Sequence, residues 1–418
     1  MDSAYLLGIY STAAGRFPDR SFKDLIREAC VGALADVGMK FCPEIGTAWF
    51  GNCLMDYWGQ SACRGHVCLA PLIEDGVLPD RTPVVNVEGG CATGSLAFHG
   101  AWKEILAGQA EVALAIGVEK LYDANNPKTA LDHILRAGDQ LDPDHWMKIW
   151  QEWAAGVDKK LEFGSDHSFA MDFYAIAALE HMKRYGTTQR QIALAAALCH
   201  NYGAKNPRAQ YRFETTVDQV LSDRMVSYPL TRSMCAPIGD AAAAALVCSA
   251  SYLKRLPAAA RKRALKIRAC ALAGGKYAPT PNEPKTAEVA AKMAYRMSGL
   301  SPRDIDVVEL HDATSFAMVH LLEDLGFCAH GEGGPFIESG ATQLGRDIPV
   351  NVSGGLVSRG HPLGATGLMM LNELALQLRG EAGEMQVDGA RVALQENGGG
   401  IVGREIASAS VIILERES

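Results

Sequence analysis

Short apolar runs alternate with longer amphipathic segments through the first 120 residues of the chain. The run Val84–Val87 predicts a buried strand, and after it Leu96, Trp102 and Ile105 recur at roughly the three- and four-residue steps of a helix. Residues 111–119 are apolar almost throughout and predict another buried strand. Strands that alternate with helices in this way are typical of an α/β protein.

One six-residue pattern occurs twice, once in each half of the chain. The sequence Val-Asn-Val-X-Gly-Gly stands at 85–90 and again at 350–355, and each copy follows a proline and precedes a helix-like apolar run. The first corner is followed by Cys91, and the second by His361 within the run Gly-His-Pro-Leu-Gly-Ala-Thr-Gly at 360–367. Two related halves packed about a pseudo-twofold axis would bring the corners together. A thiol next to an imidazole is an activated nucleophile.

The position of Cys91 at the start of a predicted helix also bears on its chemistry. Backbone N–H groups and the positive end of the helix dipole favour the thiolate form of a cysteine there. A sharp strand-to-helix turn holds its corner side chain accessible, as in a nucleophile elbow. The alternative is that Cys91 is one more small buried residue, as free cysteines commonly are. The second corner and its histidine favour the nucleophile.

The alternation of strands and helices divides the chain into two halves. Residues 1–255 form the predicted N-terminal half, with an insertion over about 122–233, and residues 265–418 form the C-terminal half. The insertion contains a clear helix over 168–185 and three tryptophans near 150. Between 183 and 232 it has eight Lys and Arg against three Asp and Glu. This excess predicts an anionic ligand such as phosphate, and a solvated basic face is the alternative.

Composition excludes several classes of protein. A length of 418 residues favours two domains, and a net charge of −8 argues against a general role in nucleic-acid binding. Eleven cysteines without paired spacing fit reduced thiols in the cytoplasm. We expect no signal peptide and no membrane span, since no apolar run has the required length. His145, His167 and His200 lack the spacing of metal ligands, so no metal site is predicted.

With these residues placed, the chain resembles the thiolase superfamily, and within it the sterol-carrier-protein-type (lipid-transfer) thiolases. The resemblance covers nearly the whole chain and is strongest at 91–95, at 353–367, and from 185–188 through 206–207. It implies a thiolase-like five-layer αβαβα fold of two duplicated halves with an inserted loop domain. It also implies a homodimer or dimer of dimers, and a place in lipid metabolism.

The resemblance further implies acyl-CoA C-acyltransferase activity through a thioester on Cys91. His361 would be the base that deprotonates this cysteine, and His311 would hold the thioester oxygen of the group that forms the carbanion. The N–H of Cys91 and a glycine of the 397–400 segment, for which we favour Gly399, would form a second oxyanion hole. Coenzyme A thioesters would be the substrates, with no permanently bound cofactor. The candidates for binding the coenzyme A phosphates are Arg208, Arg212 and Arg232.

One departure from the family pattern leaves alternatives open. Sterol-carrier-type thiolases usually have a cysteine at the position of Ala313, and other thiolases have one in a Cys-X-Gly loop that here reads Glu-Asn-Gly-Gly-Gly at 396–400. The second proton transfer must then use His361, Glu396 or a water, if C–C bond formation or cleavage is retained. The alternatives are a retro-aldol lyase or an acyltransferase that works with a small zinc-ribbon/OB-fold partner, or a non-catalytic protein that binds acyl-CoA or lipid.

Overall fold

The computed structural model describes residues 3–126, 134, 138–161, 168–280 and 283–417. Part of the predicted insertion, with His167, lies outside these residues. The strands are β1 (Ala4–Ser11), β2 (Ile45–Gly51), β3 (Val84–Val87), β4 (Val112–Glu119), β5 (Met225–Ser227), β6 (Leu230–Thr231), β7 (Ala241–Ser249), β8 (Leu265–Gly274), β9 (Val307–Glu309), β10 (Val392–Gly399) and β11 (Ser408–Glu415).

The described helices lie between and after these strands. They are α1 (Phe22–Ala35), α2 (Arg64–Glu74), α3 (Thr93–Leu106), α4 (Pro143–Ala155), α5 (Phe169–Tyr185), α6 (Gln189–Gly203), α7 (Val217–Ser222), α8 (Ala250–Arg255), α9 (Ala258–Arg263), α10 (Thr286–Ser298), α11 (Ser315–Asp324), α12 (Gly333–Glu338), α13 (Gly355–Arg359) and α14 (Leu363–Arg379).

Nine strands form a continuous sheet in the order β3-β2-β4-β7-β1-β8-β11-β10-β9. In the N-terminal part, β1 pairs antiparallel with β7, β7 antiparallel with β4, and β4 parallel with β2. In the C-terminal part, β8, β11, β10 and β9 repeat these pairings in the same sequence. A parallel bridge between Val308 and Val350 stands where the N-terminal half has β3. The prediction of two duplicated halves is confirmed, and their exact boundaries stay a prediction.

Three buried apolar clusters fill the four spaces between five layers, because the middle cluster extends to both sides of the central helices. In the first, α1 and α2 cover one face of the N-terminal strands. In the second, α3 and α14 lie between the two sets of strands and contact both. In the third, α6, α10 and α11 cover the outer face of the C-terminal strands. The outer helices have one apolar side that the strands remove from water, whereas β4, β7 and α14 are buried almost throughout. This burial is the main favourable term in folding. The predicted αβαβα order is therefore confirmed.

Two local predictions near the site differ from the structure. β3 pairs with β2 on one side and is half-buried, so it is an edge strand and not the buried strand that its valines indicated. Residues 396–400 were predicted as a loop, but β10 continues through Gly399, which pairs with Ser408 of β11. Glycine runs normally weaken a strand, and here pairing with a long neighbouring strand outweighs that tendency.

The tryptophans of the insertion form a small core of their own. Trp146, Trp150 and Trp153 are buried against Phe169 and Phe173 of α5. The indole nitrogen of Trp150 donates to the carbonyl oxygen of Gly403 at 3.1 Å, which ties the insertion to the β10–β11 connection. The patch therefore stabilises the insertion. Among the residues that the structure describes, no helix combines the length and hydropathy needed to cross a membrane.

Candidate active site

The two Gly-Gly corners meet because α3 and α14 lie in contact at their first turns. A Cβ on Gly367 would come within 2.2 Å of the hydroxyl oxygen of Ser95 and 2.5 Å of its backbone nitrogen, so this position of α14 requires glycine. The Ser95 hydroxyl lies 2.8 Å from the amide oxygen of Asn397, and the amide of Gln395 donates to the carbonyl of Gly367 at 2.8 Å. Strand β10 thus holds the two helices together from below.

This contact places one sulfur beside two imidazoles. Cys91 lies on a single 3-10 turn, Gly90–Ala92, between β3 and α3, and His361 lies between α13 and α14. The sulfur and one nitrogen from each of His311 and His361 all lie within 4.8 Å of one another. The two imidazole rings are 4.9 Å apart at 71°, an edge-to-face arrangement. A sulfur and two imidazoles are also ligands that Zn²⁺ accepts. The structure therefore brings the Cys91 thiol of the N-terminal half next to His361 of the C-terminal half, as the sequence predicted.

A neighbouring threonine decides which nitrogen of His361 is free. The Thr366 hydroxyl donates its single proton to the carbonyl oxygen of Pro362 at 2.9 Å, so at 2.8 Å from His361 Nδ1 it acts as an acceptor. The hydrogen-bond pattern therefore places the imidazole proton on Nδ1 and a lone pair on Nε2. Nε2 of His361 and Nε2 of His311 are both buried without a partner among the described residues. Both atoms face the cluster side and can take part in proton transfer or bind a substrate oxygen.

Burial sets the charge state of the cluster. It raises the pKa of the Cys91 thiol to about 12, with smaller contributions from Glu119 and Glu88, although the thiol's own backbone N–H opposes the shift. The backbone N–H at the helix start does favour the thiolate, as the sequence indicated, but desolvation outweighs this effect and the thiol stays protonated. Burial also lowers the pKa of His311 to about 3 and the pKa of His361 well below 6.5. The resting site therefore holds a neutral thiol and two neutral imidazoles.

Gly399 lies directly against the backbone of the cysteine turn. A Cβ at this position would be 2.6 Å from the nitrogen of Cys91 and 2.1 Å from that of Ala92. The side-chain amide of Asn397 donates to the carbonyl oxygen of Cys91 at 3.2 Å and fixes the turn against β10. The predicted partner in an oxyanion hole is thus next to the Cys91 N–H, and its role stays a prediction.

Replacing Gly399 with alanine is expected to lower kcat/KM for acyl transfer by about 10²–10³-fold, the range for loss of one oxyanion donor. The new methyl group pushes the Cys91 N–H away from the reacting oxygen. The rate of acyl adduct formation, followed by quenched-flow mass spectrometry, measures the effect. Gly274→Ala is the matched control, because a Cβ there meets nothing within 4 Å. Equal rates in the two variants would contradict the assignment.

The arginines predicted to bind phosphate have different surroundings. Arg208 forms two hydrogen bonds of 3.0 Å with the carboxylate of Glu373, so its charge is balanced inside the protein. Arg232 is exposed and pairs with Asp223 at 3.2 Å, and Arg212 is exposed. Phosphate binding by these three residues stays a prediction, and the two exposed side chains keep the better access to a ligand.

Two buried carboxylates, Glu119 and Glu396, lie beside the cluster of Cys91, His311 and His361. Glu119, which sequence analysis missed, accepts hydrogen bonds from the N–H groups of Cys53, Leu54 and Gly364 and so joins the first half to the start of α14. Glu396 is buried, accepts from the backbone N–H of His311 at 3.3 Å, and has a pKa raised to about 8 by burial. Nothing in the local sequence indicates that Glu119, at the end of β4, connects the two halves, since the residues that it binds are distant in sequence.

Sequence and structure comparisons identify the family. The N-terminal domain of thiolase matches residues 5–226, and a thiolase C-terminal domain-like family matches residues 278–416. An acetyl-CoA acetyltransferase of Methanothermobacter thermautotrophicus is 37% identical over the full length of both chains. Human sterol carrier protein 2 is 34% identical over 92% of this chain and 67% of its own length.

Solved structures show the same fold at lower identity. The Ltp2-ChsH2(DUF35) aldolase superimposes with a TM-score of 0.76 at 21% identity, covering 99% of this chain and 98% of that one. The acetyl-CoA acetyltransferase of Syntrophomonas wolfei gives a TM-score of 0.68 at 17% identity over the full length of both chains. The matches to both thiolase domains and the close relatives agree with the duplicated halves and the Cys-His cluster: the chain belongs to the thiolase family and is an acyltransferase of the thiolase type.

Proposed function

We propose that the protein is an acyl-CoA C-acyltransferase that carries the acyl group on Cys91 as a thioester and makes or breaks a C–C bond. The observation that carries this proposal is the sulfur of Cys91 within 4.8 Å of imidazole nitrogens of His311 and His361. Binding alone would not need a nucleophile and a base held together in a buried site. Coenzyme A enters as part of the substrate, and we propose no permanently bound cofactor.

In the first step, the free lone pair on Nε2 of His361 takes the thiol proton while the sulfur attacks the thioester carbonyl. The bond between the carbonyl carbon and the coenzyme A sulfur then breaks, and the coenzyme A thiolate leaves with the proton from His361. Because burial opposes a resting thiolate–imidazolium pair, proton transfer and attack are coupled. The N–H of Cys91, with Gly399 beside it, stabilises the oxyanion that develops.

In the second step, a second acyl-CoA loses a proton from the carbon next to its thioester carbonyl. We assign the N–H of neutral His311 to the oxygen of the resulting enolate, and the carboxylate of Glu396 to the proton. The carbanion attacks the carbonyl carbon of the acyl group on Cys91 and the bond between that carbon and the Cys91 sulfur breaks. The proton that Glu396 took then returns, directly or through a water, to the released thiolate, which restores the neutral thiol. Glu396 takes the place of the cysteine that is absent at Ala313, because it is buried beside His311 and has a pKa of about 8, near the working pH.

Replacing Glu396 with glutamine is expected to slow C–C bond formation by about 100-fold, at the lower end of the range for loss of an acid/base group. In the parent enzyme this step rises with pH up to about 8, because the carboxylate form is the base, and the variant loses that rise. Acylation of Cys91 changes much less. Acetoacetyl-CoA formation from acetyl-CoA between pH 6 and 9 measures the step. Glu332→Gln, at an exposed glutamate, is the control, and an unchanged pH profile in Glu396→Gln would contradict the role.

The proposed function is tested with the unmodified protein and a panel of acyl-CoAs of increasing chain length. Intact-mass measurement should show an increase by one acyl group, released coenzyme A should appear in equal amount, and peptide mapping should place the adduct on Cys91. The chain length with the highest kcat/KM identifies the substrate class. If no member of the panel acylates the protein or releases thiol, the acyl-transfer proposal fails.

A second candidate function is retro-aldol cleavage or acyl transfer to another acceptor with a small zinc-ribbon/OB-fold partner. The alanine at 313 favours it, because the usual acid/base cysteine is missing there, and the aldolase complex named above has the same fold. Activity that appears only when such a partner co-purifies and is added back separates this function from the first. Homodimer formation, a role in lipid metabolism and a cytoplasmic location stay predictions. So does a non-catalytic role in binding acyl-CoA or lipid, which tight binding without turnover would support.

A further inference from the structure

A second cluster of metal-ligating side chains lies outside the candidate active site. A cavity of about 370 Å³ is bounded by α5, by the start of α10, by α11 and by residues 404–406. Glu288 of α10, Asp324 at the end of α11 and His330 from the following loop all line this cavity. One potential ligand atom from each of the three lies within 4.8 Å of the other two.

We propose that Glu288, Asp324 and His330 bind one divalent cation of the Zn²⁺ class. One imidazole and two carboxylates form a set that suits Zn²⁺, with an open position toward the cavity. Nε2 of His330 and Oε2 of Glu288 are 3.8 Å apart. Ligand atoms around one tetrahedral Zn²⁺ are about 3.4 Å apart, given bonds of about 2.1 Å. Small side-chain rotations therefore close the set around an ion.

Each proposed ligand has a polar or charged side chain near it. Nδ1 of His330 is 3.8 Å from Oε2 of Glu323, an oxygen that also lies 3.0 Å from Nε2 of His181, while Nε2 of His330 faces Glu288. Nδ1 of His320 is 3.1 Å from one oxygen of Asp324. Lys292 pairs with one oxygen of Glu288, while the other oxygen faces His330. These partners would tune the affinity for the cation.

An unpaired hydroxyl gives a second, independent indication. Thr286 lines the same cavity, is 3% exposed, and its Oγ1 has no hydrogen-bond partner among the described residues. Asp324 is 6% exposed, Glu288 is half-buried and His330 is exposed, so the cluster extends from a buried carboxylate to the protein surface. A buried hydroxyl without a partner is unfavourable by about 1–3 kcal/mol, and a water bound to the cation would satisfy it.

The test titrates the full, chelator-treated chain with Zn²⁺ by calorimetry and with Co²⁺ by absorption spectroscopy. Both are done in a Cys91→Ala background, since the Cys91 cluster has ligand geometry as well. We expect one Zn²⁺ per chain and an intense, tetrahedral Co²⁺ spectrum. His330→Gln, an exposed loop position that leaves the core intact, should weaken binding by more than about 100-fold, and His320→Gln by about 10–100-fold.

Two further variants separate a cation site from a set of ion pairs. Lys292→Gln should tighten binding by about two- to five-fold, because it removes a competing surface charge from Glu288, whereas loss of a purely structural contact would not. His145→Gln, an exposed histidine on α4, should leave binding unchanged. The proposal is overturned if Cys91→Ala binds no Zn²⁺ at 100-micromolar scale concentrations, or if His330→Gln binds as well as its parent. Neither result depends on the acyl-transfer proposal.

Discussion

Replacing Cys91 with alanine is expected to abolish both the acyl adduct and the release of coenzyme A from every acyl-CoA that acylates the parent protein. The reason is geometric: this sulfur lies within reach of two imidazoles whose Nε2 atoms are buried and have no partner in the described part of the chain. Alanine removes the nucleophile, so neither the oxyanion donors nor the base has a group to assist. Intact-mass measurement after incubation with acyl-CoA, together with a thiol-release assay, gives the result directly.

The neighbouring cysteine provides the matched control for this experiment. The thiol of Cys53 donates to the carbonyl oxygen of Gly90 at 3.0 Å and lies 3.1 Å from the hydroxyl of Thr93, so its sulfur supports the turn that carries Cys91. Cys53→Ala should keep the adduct and retain the rate within about tenfold, because it removes one supporting contact of about 1 kcal/mol. If the adduct persists in Cys91→Ala and disappears in Cys53→Ala, the nucleophile is Cys53 and not Cys91.

The proximity of the Cys91 thiol and the His361 imidazole could be predicted from the sequence because a repeated pattern reveals the duplication. The pattern at 85–90 and 350–355 marks equivalent corners, and two copies of one fold place equivalent corners near their shared axis. Gly367 in the second motif, which faces Ser95, and Gly94 after the first corner, which faces Gly364 and Gly367, permit the close approach of α3 and α14. Strand Val84–Val87 and helix Phe169–Tyr185 also fall where the apolar pattern indicated them, since each has a clear period and end signals.

What sequence could not predict depends on burial by distant elements. The position of Cys91 at a helix start indicated a thiolate, and the pKa of about 12 results from layers that no local pattern describes. Glu119 and Gly364 are separated by 245 residues, so their hydrogen bond leaves no spacing signal. The proximity of Glu288, Asp324 and His330 also leaves no spacing signal in the sequence. Closely spaced histidines reveal ligands on a single element, whereas these three residues lie on three different elements.

Replacing His361 with asparagine is expected to slow acylation of Cys91 by about 10²–10⁴-fold, the range for loss of a general base. The lone pair on Nε2, which Thr366 leaves free, has no equivalent in asparagine. Rapid-quench mass spectrometry of the adduct measures the rate. His311→Asn is the matched control, because its proposed role lies in the C–C step; it should acylate within about tenfold of the parent rate.

The pH profile gives this prediction its sharpest outcome. In the parent protein the pKa of His361 lies well below 6.5, so the base is unprotonated and acylation should be flat from pH 6.5 to 9. In His361→Asn the reaction depends on spontaneous ionisation of a thiol with a pKa of about 12, which is thiolate in roughly one molecule in 10⁵ at pH 7. Its rate should therefore rise about tenfold per pH unit. A flat profile in the variant, or acylation as fast as in the parent, would show that another group deprotonates Cys91.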